Sequence, residues 1–296
     1  MTAILAISTY GTIAVGIATA FVGGFLCYVA YGRYQRRVRV SLLRKGSPRS
    51  RDFVRIYCDL IHDEDQIEPE CILKYVNNSS RSPRNALVVR WAAWRNVRTP
   101  LHFVLLAYRE GQVIGFINAI YLPAAKTCFI AYVGAERGGD LANGRVIMCM
   151  LRKLSRLLAP LTRRGLCDWA VYELTHRDSS ARRMARFRLF RNYAQSYGLN
   201  AYRVGIPYYQ PDMAVDDYEL TTRSRADLVV VPLDETGARM TSLPILWVHQ
   251  LVESIYIEVY LASWHHRPEL TDKYKRYLKD VADRVTASAP DLVPLQ

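Results

Sequence analysis

The sequence predicts an α+β fold: a mixed, mostly antiparallel central sheet flanked by helices, with an N-terminal transmembrane helix and a C-terminal helical extension. Three observations carry this expectation. Apolar, β-rich runs follow one another closely between residues 102 and 134. They end at a glycine-rich turn, after which a helix-period pattern starts at Asn143. The first 32 residues contain no charged side chain.

In chain order, Ile4 to Tyr31 is long enough to span a bilayer, which takes about 20 apolar residues. No cation precedes it and no small-residue cleavage site follows, so a retained anchor is expected, not a cleaved signal. Arg33, Arg36, Arg37, Arg39, Arg44, Lys45, Arg49, Arg51 and Arg55 then crowd one segment with Asp52 as its only acid. The positive-inside rule makes this flank cytoplasmic. The expectation is a single-pass protein of the inner or plasma membrane, with its N-terminus outside and its main domain cytoplasmic. The basic segment would also rest on anionic headgroups. Thr12, Gly16, Ala20 and Gly24 share one helix face, and small residues at that spacing suit a homodimer through Gly16, Ala20 and Gly24.

Residues 1–32 are thus read as the transmembrane helix and 33–50 as a basic juxtamembrane linker. Residues 51–233 form the main domain and 234–296 the extension. Within the domain, 51–62 space Phe53, Ile56, Tyr57, Leu60 and Ile61 as one helix face. Residues 67–76 predict a helix entered near Pro69. LVVRWAAW (87–94) is open between strand and short helix. Residues 102–122 are two strands around Glu110-Gly111, which is hairpin chemistry. Residues 127–134 are a third strand, 143–159 a helix and 166–174 a fourth strand. An arginine-rich helix covers 180–197 with Gly198 past its end. Residues 201–209 and 226–233 are later strands, and 243–265 and 269–287 are helical.

Net charge is +13. Such an excess suits anionic lipid, nucleic acid or phosphate-rich ligands. No nucleic-acid-binding motif or interleaved aromatic platform is present, so nucleic acid is not the expected partner. The six cysteines lack metal-ligand spacing and read as reduced thiols, and His265-His266 lacks a third ligand, so no metal is expected.

The turn reads Glu136-Arg137-Gly138-Gly139-Asp140-Leu141-Ala142-Asn143-Gly144-Arg145. Uncovered backbone N–H groups at a helix N-terminus form a pyrophosphate cradle, and Arg137 and Arg145 can add bidentate contacts. With the element order before and after it, this stretch resembles the general N-acetyltransferase (GNAT) superfamily over roughly residues 51–233. The family's turn has Gln or Arg, two residues, Gly, one residue, then Gly or Ala. Arg137 and Ala142 fit, and Asp140 stands at the expected glycine. A carboxylate there can instead cap the helix.

The resemblance implies chemistry with acetyl-CoA or another acyl-CoA as co-substrate. It implies cofactor contacts from Tyr132, Val133, Gly134, Arg137, Gly138, Gly139, Ala142, Asn143, Gly144 and Arg145. The strand 128–134 would splay from 166–174 to admit the pantetheine arm. Amine acylation needs a base for the amine proton and an acid for the leaving thiolate. Glu173 is the best-placed base, with Glu136 as the alternative, and each reads equally as an ion-pair partner of arginine. Tyr193 on the 181–199 helix, with Tyr197 beside it, is the acid candidate; a core aromatic is the competing reading. His176 reads as structural. The expected function is a membrane-anchored, cytoplasm-facing acyltransferase acting on an unspecified amine. The alternatives are an inactive tethered sensor or interaction module on the same fold, and an aminoacyl-tRNA-dependent transferase on a related one.

Overall fold

The computed structural model describes residues 38–61, 67–78, 82–83, 85–136, 143–210, 224–234, 239–261, 271–287 and 290–296. The predicted transmembrane helix, its Gly16/Ala20/Gly24 face and most of the basic linker lie outside the described residues. Among those described, no helix is long and apolar enough to cross a membrane. The chain divides into two compact units, residues 1–39 with 108–112 and residues 40–107 with 113–296. Of the first, the described part is the start of β1 and the tip of a hairpin, where Glu110 and Gly111 both take positive φ, as a tight two-residue turn requires.

The second unit is built on one sheet. Its strands are β1 (Arg39–Leu42), β2 (Leu101–Arg109), β3 (Gln112–Leu122), β4 (Thr127–Ala135), β5 (Trp169–Thr175), β6 (Tyr202–Arg203), β7 (Tyr208–Gln210) and β8 (Ser224–Pro232). The order is β1-β2-β3-β4-β5-β8-β6, with β7 also on β8. Pairing is antiparallel for β3–β4, β5–β8, β6–β8 and β7–β8, and parallel for β4–β5. The mixed, mostly antiparallel sheet is the one predicted.

Helices cover both faces. On one, α1 (Ser50–Leu60) packs Phe53 and Tyr57 edge-on against Phe116 of β3. α2 (Pro69–Asn77) starts at its proline, which fits a first turn where no intrahelical donor is needed. The same face carries α6 (Ile245–Ile255), a π-helical turn (Tyr256–Tyr260) and α7 (Thr271–Ala287). Their Leu251, Ile255, Val259, Tyr274 and Leu278 share one buried core with Phe129, Val171, Leu228 and Val230 of the sheet. On the opposite face lie α4 (Asn143–Thr162), with α3 (Ala86–Trp94) packed on it, and α5 (Ser180–Gln195).

Several details differ from the sequence reading. Arg39–Leu42, within the stretch read as linker, forms edge strand β1. The stretch 87–94 is helical; Asn85 caps it, its Oδ1 accepting from the Val88 amide at 3.0 Å. Residues 201–209 are two strands, broken at Gly205–Pro207. The helix read from Leu243 begins after Pro244, and Ser242–Pro244 forms β9, pairing with β10 (Leu292–Pro294). The apolar face of the C-terminal extension completes the sheet's own core.

One irregularity positions everything that follows. The β3–β4 register runs Asn118↔Tyr132 and then Ala119↔Ile130, which leaves Ala131 without a counterpart. A bulge of this kind bends its strand. β4–β5 pairing ends at Ile130↔Tyr172, one residue before the bulge, although both strands continue. β5 meanwhile stays paired to β8 through Thr175.

Gly115 sits opposite the far end of β4. A Cβ there would lie 2.9 Å from the Gly134 carbonyl oxygen, 3.2 Å from Ala135 Cβ and 3.2 Å from Val146 Cγ1. Main chain cannot step aside as a flexible side chain does. Gly115→Ala is therefore expected to cost about 1–3 kcal/mol, as overpacking does. A lower urea midpoint at unchanged slope would show it; an unchanged midpoint would refute the tight approach.

Candidate active site

Where β4 and β5 part, a cavity of about 230 Å³ opens. Its walls include Ile130, Ala131, Tyr132 and Val133 of β4 and Tyr172, Glu173, Leu174 and Thr175 of β5. Ile147, in the second turn of α4, borders it. Arg177, Arg182 and Arg186 line another side, making that side cationic. Asp178 offsets part of this charge through an ion pair with Arg186.

Glu173 is the focus. It shares a face of β5 with Val171, because side chains two apart on a strand point the same way. Three side chains converge on its carboxylate. Tyr208 donates to Oε1, while Gln210 Nε2 donates to Oε2 at 2.8 Å and the Tyr260 hydroxyl donates to Oε2 at 2.6 Å. Tyr208 and Gln210 are two apart on β7; Tyr260 comes from the π-helical turn. Burial, with the Glu173 charge next in weight, pushes the Tyr208 and Tyr260 hydroxyls well above the usual phenol range. Both remain protonated and act as donors. Hydrogen bonds to a carboxylate favour its charged form, and these three donors fix the direction of the Glu173 carboxylate.

Tyr132, half-buried, meets Tyr57 of α1 edge-on, with ring centroids 5.3 Å apart. Tyr57 is in turn fixed by two hydrogen bonds to Ile67, donating to its carbonyl and accepting from its amide, each 3.0 Å. On the other wall Tyr172 is 3% exposed and stacks on Phe190 of α5 at 3.6 Å. Its hydroxyl has no hydrogen-bond partner among the described residues. Burial pushes its pKa up.

The other predicted residues fall differently. Gly134 is on β4 beyond the bulge, and a Cβ there would press on Leu60 and Phe116. Gly144 and Arg145 lie in the first turn of α4 with Arg145 exposed, and neither lines the cavity. The backbone of Asn143 begins that helix. Arg137, Gly138, Gly139, Asp140 and Ala142 lie outside the described residues. Glu136 follows β4 in a partly exposed ion pair with Arg55 at 3.3 Å, away from Glu173. Tyr193 is buried between α4 and α5, bonded to Ser155 and donating to the Leu151 carbonyl at 3.4 Å. It lines a cavity against the end of β8, not the one between β4 and β5. That is the core-aromatic arrangement.

A larger cavity of about 560 Å³ lies beyond the end of β5, lined by His176, Arg183, Arg203, Arg225 and Asp227. His176 is tied to Asp227 at 3.0 Å and its carbonyl accepts from Arg183 at 3.3 Å. Asp227 also pairs with Arg203 at 3.9 Å, so His176, Arg183, Arg203 and Asp227 are engaged with one another. Among the described residues no group of His, Cys, Asp and Glu could hold a metal ion.

Sequence reasoning reached Glu173 but missed Tyr208, Gln210, Tyr260 and Tyr172. The alternation of Tyr208 and Gln210 was a usable signal once that segment was known to pair with the strand antiparallel to β5. Nothing local announces that Tyr260 reaches a strand 87 residues away.

No family model and no curated protein matches this chain. Solved structures do. Diaminobutyrate acetyltransferase EctA from Paenibacillus lautus, solved with L-2,4-diaminobutyric acid and coenzyme A, is 17% identical. The match covers 67% of this chain and 98% of that one, with a TM-score of 0.41. Arabidopsis thaliana NAA60 with acetyl-CoA is 10% identical over 66% of this chain and 98% of that chain, at 0.42. A GNAT-family acetyltransferase from Streptococcus pneumoniae is 12% identical over 67% and 100%, at 0.37. These are likenesses of element arrangement.

Proposed function

We propose that the protein is an acyltransferase of GNAT type that moves an acetyl or other acyl group from coenzyme A to an amine. The observation that carries this reading is the parting of β4 and β5 at the Ala131 bulge, with Glu173 facing the opening. A pantetheine arm is a slender chain bearing two amides. A gap between diverging strands offers it strand-like hydrogen bonding along β4.

In this reading the amine nitrogen attacks the thioester carbonyl, the C–N bond forms and the C–S bond breaks. Glu173, directly or through water, takes the ammonium proton. The departing thiolate receives a hydrogen bond from Tyr172, the buried wall hydroxyl without another partner among the described residues. The rim of α4 and Arg177, Arg182 and Arg186 hold the phosphates. Ile4 to Tyr31 tethers the enzyme to the inner or plasma membrane with this domain cytoplasmic, restricting acceptors to those within reach of the bilayer.

Titration calorimetry with acetyl-CoA tests the site. One molecule is expected to bind per chain, with mutation of Arg182 and Arg186 to Gln weakening binding. A folded protein that takes up no acetyl-CoA would end the enzymatic reading and leave a tethered interaction module. Resistance to alkaline carbonate extraction from membranes tests the tether separately.

A further inference from the structure

A helix packed on a protein core ordinarily hides its largest apolar side chains. α3 does the reverse. Val89, Ala92 and Ala93 are buried, while Leu87, Trp91 and Trp94 are 71%, 54% and 66% exposed. At spacings of four and three they lie on one outward face. Among the described residues the other exposed large hydrophobic side chains are Met184, Tyr197 and Leu246, and none belongs to this helix. A contiguous apolar surface of this kind marks something it contacts.

The charge around it identifies the contact. Arg90 and Arg95 are exposed beside the stripe, Arg98 is exposed just past the helix end, and the Arg95 guanidinium lies 4.0 Å above the Trp91 ring. Between Glu70 and Glu110 the sequence has no carboxylate at all, but it carries Lys74, Arg81, Arg84, Arg90, Arg95, Arg98 and Arg109. A second copy of this chain would bring these cations against their own equivalents. An anionic bilayer fits both components: tryptophan settles at headgroup depth and arginine pairs with lipid phosphate.

We propose that the outward face of α3 docks on an anionic lipid bilayer, with Leu87, Trp91 and Trp94 at headgroup depth and Arg90, Arg95 and Arg98 on the phosphates. This does not depend on the acyl-transfer reading, and it supplies a surface contact besides any anchor in Ile4–Tyr31.

The test places the full chain in lipid nanodiscs of phosphatidylcholine, with or without phosphatidylserine, whose acyl chains carry bromine near the headgroup. Bromine quenches tryptophan fluorescence on contact. The expected result is stronger quenching with phosphatidylserine, which the conservative pair Trp91→Phe and Trp94→Phe removes. Both positions are exposed, so folding is unaffected, as circular dichroism will show. Replacing Arg90, Arg95 and Arg98 by Gln lowers the quenching toward the phosphatidylcholine level, each lost cation weakening docking about fivefold. Equal quenching in wild type and the Phe pair would overturn the proposal. So would equal quenching with and without phosphatidylserine, which would mean that the arginines beside the stripe do not direct the contact.

Discussion

Glu173→Gln is expected to lower the acylation rate by about 10²–10⁴-fold, the usual contribution of a positioned proton acceptor, while leaving acetyl-CoA affinity unchanged. The substitution keeps the shape and one accepting oxygen, turns the other end into a donor, and cannot take a proton. Rates under saturating acetyl-CoA, with calorimetry on the same variant, separate chemistry from binding. Near-wild-type turnover would exclude Glu173 as the base. Tyr260→Phe is the companion experiment. It removes one of the donors that favour the ionised carboxylate. Its acid limb in the pH–rate profile should therefore move to higher pH. A merely structural tyrosine would lower stability and leave the profile in place.

The second large effect concerns alkaline stability. Tyr121, Tyr172, Tyr193, Tyr208 and Tyr260 are each at most 5% exposed, and burial is the largest cause raising each pKa. In the unfolded chain they would titrate near pH 10. Above that pH the unfolded state binds fewer protons than the native one, so unfolding releases protons and stability falls as pH rises. The contribution is fully present below pH 10 and disappears upward through the raised native values. Each side chain costs about 1 kcal/mol between pH 10 and 11, or about 5 kcal/mol together, comparable with the whole stability of many domains. Tyrosinate absorbance and far-ultraviolet circular dichroism, recorded together, are expected to show these side chains ionising only as the helices melt. Independent ionisation of all tyrosines near pH 10 with the dichroism intact would contradict their burial.

What the sequence reveals depends on how local the physics is. The amphipathic face of α1, the Glu110-Gly111 hairpin and the long helix after Asn143 are local patterns, and the structure holds all three. The departures are equally instructive. Arg39–Leu42 reads as linker because the surrounding stretch is rich in cations, yet an edge strand tolerates charged neighbours. LVVRWAAW mixes β-branched and tryptophan residues, and the decisive clue lies two residues before it, in the cap at Asn85. The divergence of β4 and β5 turns on Ala131, a small residue without any signature as a bulge. The cage around Glu173 joins β5, β7 and the π-helical turn, and a contact spanning 87 positions leaves no periodicity to read.

The π-helical turn is where this long-range link is adjusted. Its wider winding, closed by the Leu261 amide on the Tyr256 carbonyl, lets Tyr256 donate to the Tyr209 carbonyl at 2.6 Å while Tyr260 meets Glu173. In a regular helix one residue corresponds to about 100° of rotation. Deleting a single position between Ile245 and Ile255 would swing Tyr260 around the axis and off its target, even with the hydrophobic surface largely preserved. The tail therefore behaves as a gauge whose tick marks are counted by the chemistry. A shortened version stopping at Pro232 would lose both its lid of apolar packing and the aim of its carboxylate.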